Sequence, residues 1–229
     1  MALVLHLQLE DDYNDATGTH TATAAGSQSF VDGKLGRAIN LTNTGRITIG
    51  GGFRLPTTCT ITAWVNLNVA ASTRGKHMSL IAQWDVADDR TYFFINQTGD
   101  YLAVFGRRNG SITTVSGAST EFVKPAGVWQ HVAWVLDDAA GTITTYVDGV
   151  TNAGPIASYN SPLADATVEI GDTTNGNQDF DGKVDDLRIY DHALTPAEVA
   201  ALASPVRRNT LGHVVSSNRR NTLGELVAA

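Results

Sequence analysis

The sequence predicts an all-β antiparallel β-sandwich with one short C-terminal helix and an extended tail. Three observations predict it. Short runs in which apolar and polar residues alternate recur along the chain, which is the period of strands with one buried face. Gly, Asn, Asp and Pro punctuate these runs, as turns require. No helical periodicity falls between the runs, which excludes a β-α-β architecture. At 229 residues, with 42% hydrophobic and 17% charged residues, the chain can bury one large core and is not globally disordered.

The elements follow in order. Strands are expected near 3–9, 37–41, 45–49, 58–66, 78–84, 91–96, 100–105, 111–116, 129–137, 141–148, 166–171 and 182–190. In the first, Leu3, Leu5, Leu7 and Leu9 share a face. In 129–137, Val132, Trp134 and Leu136 share one face and His131, Ala133 and Val135 the other. Both faces are largely apolar, so this strand is central to its sheet. Asp148-Gly149 is a tight-turn pair. Trp64, Trp129 and Trp134 sit in apolar strands and read as core, and His131 as a packed residue and not a base. Thr195-Pro-Ala-Glu198 is a capping box with Pro at the first helical position. It opens a short helix that Ser204-Pro205 closes.

The organisation is a domain over 1–204 and a tail over 205–229. The tail repeats Arg207-Arg-Asn-Thr-Leu-Gly212 identically as Arg219-Arg-Asn-Thr-Leu-Gly224. The total charge of −7 divides into +3 on the tail and −10 on residues 1–204. An acidic body argues against nucleic acid as the partner. Cys59, the single cysteine, excludes an intrachain disulfide and reads as a small buried hydrophobe. No run approaches the roughly 20 apolar residues of a membrane span, so no membrane insertion is expected. The chain opens directly on a strand, with no export signal ahead of it.

Four segments together resemble a known family. They are Asp32-Gly-Lys-Leu-Gly-Arg-Ala-Ile-Asn-Leu41; Cys59-Thr-Ile-Thr-Ala-Trp-Val65; Trp129-Gln-His-Val-Ala-Trp-Val135 with Tyr146-Val-Asp-Gly149; and Ile170-Gly171 followed by Phe180-Asp-Gly-Lys-Val-Asp-Asp-Leu-Arg-Ile-Tyr-Asp-His-Ala-Leu194. In this order and spacing they are similar to the laminin-G-like, concanavalin A-like lectin-glucanase jelly-roll family. The likeness covers residues 1–203 and leaves out the tail. It implies a jelly-roll sandwich of two curved antiparallel sheets, with a concave face that many members use to bind sugars.

The resemblance also implies a structural Ca²⁺. Asp185 matches the position whose side chain ligates the ion, and Gly33 a turn that gives a carbonyl. Asp12 and Asp15, in the acidic run after the first strand, are further candidates. Calcium takes about six to eight oxygens and mixes carboxylates with carbonyls. Catalysis is not expected. The Glu-x-Asp-x-x-Glu constellation of glucanases sharing this fold is missing from the sequence, as are Gly-x-Ser-x-Gly, His-Glu-x-x-His and a phosphate loop.

Candidate ligand residues are Trp84, Asp85, Tyr92, Arg107, Arg108, Asn109, Asn175 and Asn177, because stacking rings with amide and carboxylate partners are how saccharides are held. In the tail, Arg207, Arg208, Leu211, Arg219, Arg220 and Leu223 are the candidate contacts to other protein subunits, one set per repeat. Taken together, these features point to a non-catalytic structural or adhesive subunit of an oligomer or particle. A virion component such as a head-decoration, fibre or tail protein fits best, since the chain has no export signal. The alternative is a calcium-dependent lectin module, extracellular or at a cell surface, whose partners are cell-surface glycans.

Overall fold

A computed structural model describes residues 2–84, 90–108, 111–116, 126–157, 167–171, 178–204, 207–208 and 214–215. Its strands are β1 (Leu3–Leu7), β2 (Ala22–Asp32), β3 (Arg37–Ile49), β4 (Cys59–Leu67), β5 (Met78–Trp84), β6 (Arg90–Ile95), β7 (Leu102–Arg108), β8 (Ser111–Ser116), β9 (Gln130–Asp137), β10 (Thr142–Val147), β11 (Val150–Ala157), β12 (Thr167–Ile170) and β13 (Gly182–Tyr190). Two short helices are α1 (Ala71–Arg74) and α2 (Pro196–Leu202). In the tail, β14 (Arg207–Arg208) pairs with β15 (Val214–Val215) as a ribbon separate from the main sheet.

The main hydrogen-bonded path runs β11-β10-β9-β4-β13-β3-β12-β5-β6-β7-β8, with β1 added to β13 and β2 to β3. This path folds back on itself. Phe93 of β6 meets Trp134 of β9 edge-on at 6.0 Å between ring centroids, although several strands separate β6 from β9 along the path. The result is a sandwich. Sheet I holds β11, β10, β9, β4, β13 and β1, and sheet II holds β12, β5, β6, β7 and β8. The β2–β3 hairpin joins them, because Ile39 and Leu41 of β3 pair with β13 while Ile47 and Ile49 pair with β12.

The core lies between the sheets. Leu5, Leu7, Ile61, Val132, Trp134, Val184 and Leu187 come from sheet I, and Ile81, Phe93, Val104, Val168 and Ile170 from sheet II. Each such side chain, fully buried, contributes about 1.5–3 kcal/mol. Cys59 is among them, and burial pushes its thiol up to about 12. β9 lies between β4 and β10, as its two apolar faces predict. Trp64 and Trp134 are buried, whereas Trp129, just ahead of β9, is only half-buried and outside the core.

Three expectations about strands need correction. Segments 37–41 and 45–49 are one strand, not two. Asn43-Thr-Gly45 looks like a turn, but β2 pairs with β3 on both sides of it, and the three residues bulge from β3 opposite Gly26. Gly26 has φ +79, and a Cβ there would collide with the Thr44 carbonyl. The strands β2 and β11 were not expected at all. β11 ends the pairing path, β2 pairs with β3 beside that path, and β2 is exposed or half-buried throughout.

The helix α2 closes the outer face of sheet I. Its capping box forms as the sequence implies: Glu198 N donates to Thr195 Oγ1, and Thr195 N donates to Glu198 Oε2. Val199 and Leu194 pack on Ala133, Val135 and Tyr146. Thr60 pins the linker from β13 by donating to the His192 carbonyl at 2.8 Å and accepting from Leu194 N at 2.9 Å.

Candidate functional site

Two regions carry side chains that packing alone does not use. The first is one end of sheet II. There the register runs Trp84 (β5) to Arg90 (β6) to Arg107 (β7), so the three positions are neighbours on adjacent strands. Alternation along β6 and β7 puts Arg90, Tyr92 and Phe94 on the same outer face as Ala103, Phe105 and Arg107. Tyr92 and Phe105 stack at 5.9 Å. The Arg90 guanidinium lies over both rings, 6.0 Å from Tyr92 and 5.8 Å from Phe105.

Of the ligand residues expected from sequence, this end gathers Trp84, Tyr92, Arg107 and Arg108, the last at the close of β7. Tyr92 is 4% exposed, because Phe105 stacks on it, so it supports the surface and does not present it. The half-exposed groups are Arg90, Phe105 and Arg107. Asp85, Asn109, Asn175 and Asn177 lie outside the described residues.

The second region lies on the outer face of sheet I, where β1, β13 and α2 enclose a cleft of about 660 Å³. Its floor is Asp186, set in a β-bulge of β13 with φ +51. His6 Nε2 lies 2.8 Å from Asp186 Oδ1, and Arg188 bonds both Asp186 oxygens at 3.1 Å. Burial raises the Asp186 carboxyl, but His6 and Arg188 outweigh this and hold it below the usual range. Behind this group, burial pushes His131 down to about 4, so it is neutral near pH 7. That agrees with its reading as a packed residue. The sequence reading missed His6, Asp186 and Arg188 as a group. The signal available was alternation, which turns His6 of β1 and Arg188 of β13 outward together, and the two prove to be register partners.

The calcium candidates do not converge. Asp185 and Gly33 do meet, since a Cβ on Gly33 would lie 2.7 Å from Asp185 Oδ2. That oxygen accepts from Leu35 N at 2.7 Å. Asp15, however, is spent on its own loop. It accepts from the backbone of His6, Thr17, Thr19 and His20 and from the Thr17 hydroxyl. Burial raises this carboxyl, and the bonds from Thr17, His6 and His20 bring it below its ordinary value. Asp12 is exposed and binds Asn14. Among the described residues no group of three His, Cys, Asp or Glu side chains is arranged to hold a metal ion.

In the tail, β14 holds the backbone of Arg207 and Arg208, while Leu211, Arg219, Arg220 and Leu223 lie outside the described residues.

The laminin-G-type model of the concanavalin A-like lectin/glucanases superfamily matches residues 41–200. The chain belongs to this superfamily. The match takes in β4 through β13 and most of α2. Solved structures of similar fold include domain 4 of AbnA, a GH43 extracellular arabinanase from Geobacillus stearothermophilus, in complex with arabinotriose. The TM-score is 0.74 at 22% identity, covering 88% of this chain and 98% of that one. The binding domain of Paraclostridial Mosquitocidal Protein 1 gives 0.69 at 16% identity, covering 92% of this chain and 55% of that one. The botulinum neurotoxin serotype D binding domain gives 0.67 at 12% identity, covering 93% and 54%. The chain thus spans about half the length of the two toxin domains. At these identities the likeness to solved structures is one of fold, and the superfamily's jelly roll is the sandwich described above.

Proposed function

We propose that the domain is a non-catalytic carbohydrate-binding module that takes its glycan at the β5–β7 end of sheet II. The observation that carries this reading is the Arg90 guanidinium lying over the stacked Tyr92 and Phe105, with Arg107 on the adjoining strand. A half-exposed ring offers a flat apolar surface to the C–H face of a sugar, and guanidinium N–H groups donate to its hydroxyls. Membership in a superfamily of lectins and glucanases supports the reading, as does the similar fold of an arabinanase domain solved with arabinotriose. Calorimetric titration with arabinotriose, followed by a glycan array, tests it. Phe105→Ala should weaken binding at least about tenfold, which is roughly 1.4 kcal/mol, while the chain stays folded. Unchanged affinity in that variant overturns the placement.

The tail favours a second layer to this reading, in which the module is the adhesive part of a larger assembly such as a virion. Its repeated Arg-Arg-Asn-Thr-Leu-Gly sequence and its own β14–β15 ribbon, apart from the main sheet, suit docking on other subunits. The native mass of the full chain, compared with that of a chain lacking 205–229, tests this. A defined oligomer that dissociates on truncation supports it, and two monomers overturn it.

A further inference from the structure

We propose that the cleft between β1, β13 and α2 is a second ligand site, and that it takes a neutral polyhydroxylated ligand of the oligosaccharide class. It shares no residue with the sheet II end, so the two assignments stand or fall separately. At about 660 Å³ the cleft falls in the range of small-molecule sites, about 300–1,000 Å³.

Its floor is built, not incidental. Asp186 keeps a left-handed backbone conformation inside a strand, a strained geometry that persists only where the surroundings enforce it and that clusters at ligand sites. His6 and Arg188 enforce it from two different strands. One strand further in, Thr62 is the register partner of Arg188. Thr62 Oγ1 and His131 Nδ1 are both buried with no hydrogen-bond partner. Buried polar atoms in that state mark unused hydrogen-bonding capacity beside the floor.

Charge bookkeeping selects the ligand class. Asp186 is met by His6 and Arg188, His192 by Asp191 at 2.9 Å, and the Glu198 carboxylate by the Thr195 amide and hydroxyl. Arg188 is also bonded to Tyr190. The Arg188 guanidinium is committed to Asp186, and the Glu198 carboxylate is bonded only to neutral groups, so an anionic ligand would lose hydration without finding a counter-charge in this cleft. Ionised side chains that already face one another still hold spare lone pairs and N–H donors, the guanidinium five in all. Neutral hydroxyls, each both donor and acceptor, match that mixture. The Gln8 amide adds a further donor and acceptor at the mouth, and Tyr190, Leu35 and Leu202 supply apolar surface for ring C–H groups.

The test is amide chemical-shift mapping on the isotope-labelled full chain. The probes are arabinotriose, maltotriose, cellotriose and chitotriose, with sialyllactose as the charged control. Ala201 is exposed on α2 and lines the cleft, so Ala201→Trp fills it from the solvent side without disturbing the core. Shifts at His6, Gln8, Arg188 and Tyr190 with a neutral probe, weakened at least about tenfold in Ala201→Trp but kept in Phe105→Ala, establish the site. Shifts confined to the sheet II end overturn this site and leave the proposed function standing. Shifts in the cleft alone do the reverse. A response to sialyllactose only overturns the ligand class, and no response to any probe overturns both assignments.

Discussion

The two outer faces of the sandwich are made from similar strands yet treat charge in opposite ways. On sheet I the Asp186 carboxylate is buried and its partners converge on it: Asp186 lies between half-buried His6 and Arg188, with neutral His131 close by. On sheet II the cations Arg90 and Arg107 are half-exposed and sit over or beside aromatic rings. A buried charge must bring its counter-charge with it, whereas one at an open sheet end can leave its charge to water. Stability therefore depends on the first face, and recognition has room to vary on the second.

The largest effect that would break this contrast comes from Asp186→Ala. It leaves Arg188 and His6 without their carboxylate, and denaturant unfolding should show a loss of about 3–5 kcal/mol. A loss below about 1 kcal/mol would mean that the sheet I charges behave like surface charges after all. Next comes the pH dependence set by His131, whose value is pushed by burial from 6.5 down to about 4. Above the ordinary value the imidazole is neutral whether the chain is folded or not. As pH falls from about 6.5 towards about 4, the unfolded chain takes the proton first. Stability should drop by about 3 kcal/mol across that window and then level for this group. Asp186 and Asp15, held below their ordinary values, add their losses only at lower pH. Unfolding measured in steps between pH 7 and 4 checks this, and His131→Gln should flatten that part of the profile.

The sheet II counterpart is smaller. Arg90→Ala should cost about 1 kcal/mol or less, the worth of an exposed cation–π contact. A cost matching that of Asp186→Ala would erase the distinction between the faces. The smallest expected effect is that of calcium removal. With Asp15 committed to the backbone of its own loop and Asp185 Oδ2 to Leu35 N, chelation with EDTA should leave the melting temperature unchanged. A fall on chelation, restored by calcium, would show that the Asp185–Gly33 pair recruits further oxygens to an ion.

Strands were legible where a buried face imposed alternation. β5, β8 and β13 run over the residues that the pattern gives. β2 was not legible, since Ala22-Thr-Ala-Ala-Gly-Ser is small and polar and gains its strand geometry from pairing with β3. β11, with Gly154-Pro155 inside it, likewise depends on β10 for its form. The site was half legible. Trp84, Arg107 and Arg108 fall on neighbouring strand ends as a cluster of rings and polar groups suggests, yet Tyr92 is hidden beneath Phe105, and no single-strand pattern shows which ring lies on top.

By itself the sequence determined the class of fold, the capped C-terminal helix, the buried roles of Cys59 and His131, and the division between an acidic body and a basic repeated tail. Each of these rests on local periodicity or composition, which a chain carries whether folded or not. Tertiary structure alone decided that His6 would meet Asp186 and Arg188 across 180 residues, that Asp15 would accept from His6 and its own loop, and that α2 would line a cleft with β1 and β13. These depend on register between distant strands, which is fixed only when the sheets close on a common core.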